Sequence, residues 1–210
     1  MIKRLSIIIF LTLIILTIQN RLSLSQEINS EEYKIYQLII EEKYLSKPGY
    51  IDWMNHPYPL GKEPKELLPK TVIIISETVS FSMEDSEIAN SLITDNKIRK
   101  KLIDSWNNIN TKKYVLKDSF SFSTKHLLIS KDQLWEALNP SSWISFYERY
   151  PDALGIFELT RVAFDDNKTS ALVYVINTQD GLWGSSTFYF LTKPDNQEWK
   201  IVQEYVALIS

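Results

Sequence analysis

Apolar residues follow three rhythms along this chain, and each rhythm predicts a different kind of element. The first is a solid block near the start: Lys3 and Arg4 precede LSIIIFLTLIILTI, which gives way to polar QNRLSLSQE. A basic start and an apolar run shorter than the roughly twenty residues of a bilayer-spanning helix predict a signal peptide over 1–25. Small Ser23 and Ser25 place the expected cleavage before Gln26. The alternative is retention as an N-terminal membrane anchor. Both imply export.

The second rhythm has spacings of three and four. INSEEYKIYQLIIEEKY carries Tyr33, Tyr36, Ile40 and Tyr44 on one stripe, which predicts a core-facing helix. Asn29 and Glu32 make its capping box, with Ile28 and Tyr33 placed for a hydrophobic staple. DNKIRKKLIDSWNNI predicts a second helix, capped by Thr94 or Asp95, with Ile98, Leu102, Trp106 and Ile109 along one side. Ser130 and Gln133 open a short helix over KDQLWEAL, and SSWISFYERY predicts another that ends before Pro151. Between the first two helices, the stretch at about 46–70 holds five of the eight prolines and reads as a long loop or arm.

The third rhythm has period two. TVIIISETV fits a buried strand. SFSFSTKHLLI alternates, placing Phe120, Phe122, His126 and Leu128 on one strand face. The last third holds four β-type runs, IFELTRVAF, TSALVYVIN, SSTFYFLTK and EWKIVQEYVALI, separated by DDNK, TQDGLWG and PDNQ. Turn-forming links of that length predict an antiparallel meander. In DDNKT, Asp165 and Asp166 read as hairpin chemistry. The link with Asp180, Gly181 and Gly184 lacks the lysine and following helix of a phosphate loop, and it lacks the Gly-x-Ser-x-Gly of a nucleophile turn. Its glycines are expected to supply positive φ in a chain reversal.

The residues FYERYPDALGIFELTRVAFDDNKTSALVYV, GLWGSSTFYFLTK and EWKIVQEYVALIS resemble the C-terminal half of a group of uncharacterised exported bacterial proteins. The shared features are YP…GI…L…RV.F, ALVYV, a Gly-x-x-Gly-Ser loop, a Tyr-x-Leu-x-Lys strand and a closing Trp-Lys strand. The resemblance covers about the last third of the chain and implies kinship and export, with no activity attached. The final strand departs from the group by ending ALIS without a tryptophan before the last Ile-Ser.

Composition narrows the chemistry. The absence of cysteine removes disulfides, thiolate metal sites and a cysteine nucleophile. A net charge of −3 argues against nucleic acid as a partner. No motif calls for a cofactor. His56 and Asp52 lack the further ligands that zinc needs, so no metal is expected. His126 reads first as a core histidine with one hydrogen-bond partner, and second as a pocket-lining base or binding residue. Arg161, among Phe157, Leu159 and Ala163, needs an anionic partner, either a protein carboxylate or a ligand. Trp106, Trp135, Trp143 and Trp199 are expected in the core, whereas Trp53 and Trp183 fall in loops and are expected at the surface.

These readings converge on an α+β domain over 26–210, with two or three helices on one face of a curved antiparallel sheet. A cone like that of the nuclear-transport-factor-2 fold is a compatible architecture by analogy. The expected function is a non-enzymatic exported binding or interaction module for a small ligand or protein, using His126, Arg161 or the Trp183 loop. A small hydrolase or isomerase with His126 as base is one alternative, and a structural envelope protein is another. Membrane contact is expected only through an uncleaved N-terminal segment.

Overall fold

A computed structural model describes residues 27–46, 71–80, 97–139, 142–179, 184–194 and 197–209. The segment read as a signal peptide, the proline-rich stretch from 47 on, the Thr94 and Asp95 caps and the Asp180–Trp183 link lie outside them. The order is α1 (Ser30–Ile40, extended by a π-helical turn Glu41–Leu45), β1 (Thr71–Ile75), α2 (Lys97–Ile109), β2 (Lys125–Ile129), α3 (Lys131–Leu138), α4 (Trp143–Arg149), β3 (Ala153–Leu159), β4 (Ala163–Phe164), β5 (Ser170–Thr178), β6 (Gly184–Thr192) and β7 (Lys200–Ile209). The architecture is α+β. Among the described residues no helix is long and apolar enough to cross a membrane.

The sheet runs β2-β1-β3-β5-β6-β7, with β4 pairing beside β5. From β3 onward the pairs are antiparallel, as the turn-length links require. Thr178 lies opposite Gly184, so the chain reverses across the intervening link and continues as a strand. Gly184 is an ordinary ladder residue. The positive φ among the described glycines is at Gly155 (89°), where β3 holds one extra residue against β1. A Cβ there would meet the Thr178 carbonyl at 2.4 Å, so only glycine fits.

Alternation did not reveal the other half of the sheet. β1 lies between β2 and β3 and is parallel to both. Its five residues are all buried, the signature of a strand covered on both faces. The helices accordingly divide between the two faces. Val72 and Ile74 share a core with α1, Phe157 and Val173. Their neighbours Ile73 and Ile75 pack with Ala137 and Phe146 of α3 and α4, while Leu172, Tyr174 and Phe188 pack under Leu102, Ile103 and Trp106 of α2. The expectation of helices on a single face is therefore corrected: α1 covers one face and α2, α3 and α4 the other.

Two predicted strands are shorter than their patterns, for one physical reason. In SFSFSTKHLLI the ladder begins only at Lys125, because helix side chains take the upstream backbone groups. Gln37 accepts from Ser121 N at 3.2 Å and donates to Ser121 O at 2.8 Å, while Glu41 accepts from Ser123 N at 3.0 Å. IFELTRVAF breaks into β3 and β4 around Arg161, whose N–H donates to Asn110 Oδ1 at 2.7 Å, while Val162 N donates to Glu32 Oε2 at 3.1 Å. A backbone N–H has one hydrogen to donate, and a side chain that captures it with good geometry ends the ladder.

The predicted hairpin chemistry in DDNKT is present. Asp165 accepts from Thr169 N, Thr169 Oγ1 and Ser170 N at 2.7, 2.9 and 3.0 Å. Burial tends to raise its carboxyl, but these bonds hold it below its ordinary value. The tryptophans divide unexpectedly. Trp106 and Trp199 are buried, but Trp135 is 71% exposed, because Leu134, Ala137 and Leu138 supply the core face of α3. Ile98, expected on the α2 stripe, is also exposed.

Candidate functional site

The first turn of α1 assembles most of the charged architecture on its face of the sheet. Asn29 caps it, its Oδ1 accepting from Glu31 N at 2.9 Å and Glu32 N at 3.1 Å, while Glu32 Oε1 accepts from Asn29 N at 3.2 Å. This is the capping box read from the sequence. The fold gives its glutamate a second task. Glu32 is fully buried and grips Arg161 with both oxygens, accepting from Nε at 2.7 Å and from a terminal nitrogen at 2.8 Å. The guanidinium lies 4.4 Å from the Tyr114 ring centroid. Burial by itself would lower the Arg161 guanidinium, but Glu32's hydrogen bonds and charge outweigh it and raise it. Tyr36, fully buried beside this pair, donates to Thr160 O at 2.9 Å, and burial pushes its phenol well up, so it stays neutral. Of the two partners expected for Arg161, the fold supplies the protein carboxylate.

Glu31 turns outward and ties together three groups from both ends of the chain. Its carboxylate accepts from Lys34 at 2.7 Å, Lys193 at 2.8 Å and Trp199 Nε1 at 2.9 Å. The Lys193 bond, then those from Lys34 and Trp199, bring the Glu31 carboxyl down to about 2. Lys193 also lies 5.6 Å from the Trp199 ring centroid, and Phe164 packs on that ring at 5.8 Å.

These contacts frame a groove of about 390 Å³. One wall is the outer face of α1, with Lys34, Gln37, Leu38 and Glu41. The other is the connection into β7, with Lys193, Glu198 and Trp199. Leu38 is its half-buried apolar floor. Nothing in the amino-acid pattern marked this place, because residues 34–41 and 193–199 are distant in sequence. The one available signal was the polar stripe of α1, which reads as a solvated helix face.

Of the residues singled out from the sequence, His126 and Arg161 are described, and neither lines the groove. His126 stands on β2, its Nε2 2.7 Å from Asp118 Oδ1, with Phe120 and Phe122 at 5.9 and 5.4 Å. The aromatic neighbourhood is the one that alternation predicted, although both phenylalanines precede the strand. Arg161 is held by Glu32. Trp183, with Trp53 and His56, lies outside the described residues.

A smaller polar group sits where the π-helical turn ends. Tyr44 O–H and Tyr189 O–H are 3.4 Å apart, and Lys43 pairs with Glu204 at 3.1 Å. Burial raises both phenols, so they act as neutral hydroxyls. No protein-family model, no curated protein and no solved structure matches the chain.

Proposed function

We propose that the protein is an exported, non-enzymatic binding module and that its ligand site is the groove between α1 and the connection into β7. The observation that carries this reading is that the groove walls are fastened before any ligand arrives. Glu31 joins Lys34, Lys193 and Trp199 across it, while Gln37 and Glu41 are braced against the backbone of Ser121 and Ser123. Fixed polar groups around an apolar floor lower the ordering cost of binding, and the volume lies within the range of small-ligand sites. Arg161, by contrast, is engaged by Glu32 in the interior. Screening small polar compounds by ¹H–¹⁵N NMR is expected to move the Gln37 and Leu38 amides and the Trp199 indole N–H. Leu38→Lys, which fills the floor, is expected to abolish those shifts. A screen in which the groove signals never move would sink the proposal.

The contact between His126 and Asp118 favours a second reading, a small hydrolase or isomerase in which Asp118 orients the imidazole as a base. Turnover of an activated ester that His126→Gln abolishes, with unfolding unchanged, would favour it. Equal turnover in the variant would remove it.

A further inference from the structure

The groove has a polarity along its length. Lys34, Gln37 or Leu38, and Glu41 follow one another at helical spacing on one face of α1. Seven residues of helix separate the Lys34 and Glu41 backbones by about 10 Å. At the Lys34 end two ammonium groups, Lys34 and Lys193, share the single Glu31 carboxylate, so an excess of positive charge remains. At the other end the charge is negative. Among the described residues no cation pairs with Glu41, which is held in place through Oε1 by Ser123 N. A ligand that matches this pattern carries an anion and a cation about 10 Å apart, with a neutral middle that lies along Gln37 and Leu38. Three extended residues span about 10 Å, and a free peptide of that length has a carboxylate at one end and an ammonium at the other.

Resting on the binding reading above, we infer that the groove takes a short zwitterionic peptide of about three residues, its carboxylate between Lys34 and Lys193 and its ammonium at Glu41. Trialanine is the probe, titrated into the full-length protein while the Lys34, Gln37 and Glu41 amides and the Trp199 indole are followed by NMR. Saturable shifts are expected. N-acetylation or C-terminal amidation each weakens binding about fivefold, equivalent to about 1 kcal/mol for one exposed ion pair. Dialanine and hexaalanine bind less well than trialanine. Glu41→Gln keeps the bond to Ser123 and is expected to erase the penalty for acetylation, and Lys34→Gln that for amidation. Blocked and free trialanine binding equally would overturn the inference. So would groove shifts produced by a monosaccharide and not by trialanine, an outcome that leaves the binding reading standing. Groove signals unmoved by every probe would remove both.

Discussion

Glu31 and Glu32 are neighbours in the first turn of one helix, and both are ion-paired, yet they do opposite jobs. The Glu32 side chain is fully buried and meets an arginine fork that is itself almost enclosed, whereas Glu31 keeps 27% of its side-chain surface in water and holds two lysines. The difference follows from geometry and solvent. A buried carboxylate needs every lone pair met, and Glu32 meets Arg161, Val162 N and its own capping partner. A half-exposed carboxylate can share its charge with flexible ammonium groups, and water screens what remains. The inner pair locks the β3–β4 break against α1. The outer cluster shapes a surface that is open to a ligand.

The comparison breaks most decisively at the inner pair. Glu32→Ala or Arg161→Ala strands a buried charge and is expected to destabilise the protein by about 3–5 kcal/mol in denaturant unfolding. A loss below about 1 kcal/mol would show that the site is wetter than its burial implies. Replacing both partners with alanine should cost less than the two single losses combined, by at least about 1 kcal/mol, because neither charge is left behind. Strict additivity in that double-mutant cycle would contradict a coupled pair.

The outer cluster should respond more gently. Glu31→Gln is expected to cost about 1 kcal/mol or less, and the loss should shrink in high salt. Its pH signature is more specific. The folded carboxyl sits at about 2 against an ordinary 4.5, so its contribution is complete above about pH 4.5 and is lost as pH falls towards 2. Unfolding midpoints between pH 6 and 2 should therefore fall less steeply in Glu31→Gln than in the parent. Parallel curves would mean that Glu31 is not held by Lys193 and Lys34. The smallest effect is expected outside both systems. Trp135→Ala removes an exposed side chain on α3 and should shift stability by no more than about 0.5 kcal/mol.

Legibility in the sequence followed the range of the interaction. Both capping boxes, at Asn29 and Ser130, are present as read, since a cap is a bargain between residues three apart. The DDNKT turn and the reversal before Gly184 are equally local. Failures began where a distant group competed for the backbone, as when Gln37 and Glu41 ended the predicted strand ahead of Lys125, or Glu32 and Asn110 split β3 from β4. Trp135 misled for a related reason: on a helix of eight residues, Leu134, Ala137 and Leu138 suffice for the core face, and composition cannot rank them against a tryptophan. The need of Arg161 for an anion was readable, but its partner was concealed in plain sight as a capping glutamate.

Period and turn chemistry alone were enough to specify the helices, the antiparallel C-terminal ladder and an α+β class, because each depends on neighbours within a few residues. Packing in three dimensions decided the rest: the parallel insertion of β1, the division of helices between two faces, the identity of the Arg161 counter-ion and the groove beside Glu31. Those features join segments that are distant in the chain, as when Thr71 pairs with Lys125 or Glu31 meets Lys193 and Trp199. Contacts of that range leave no periodic trace in the chain, since they arise only once buried surfaces have chosen which elements lie side by side.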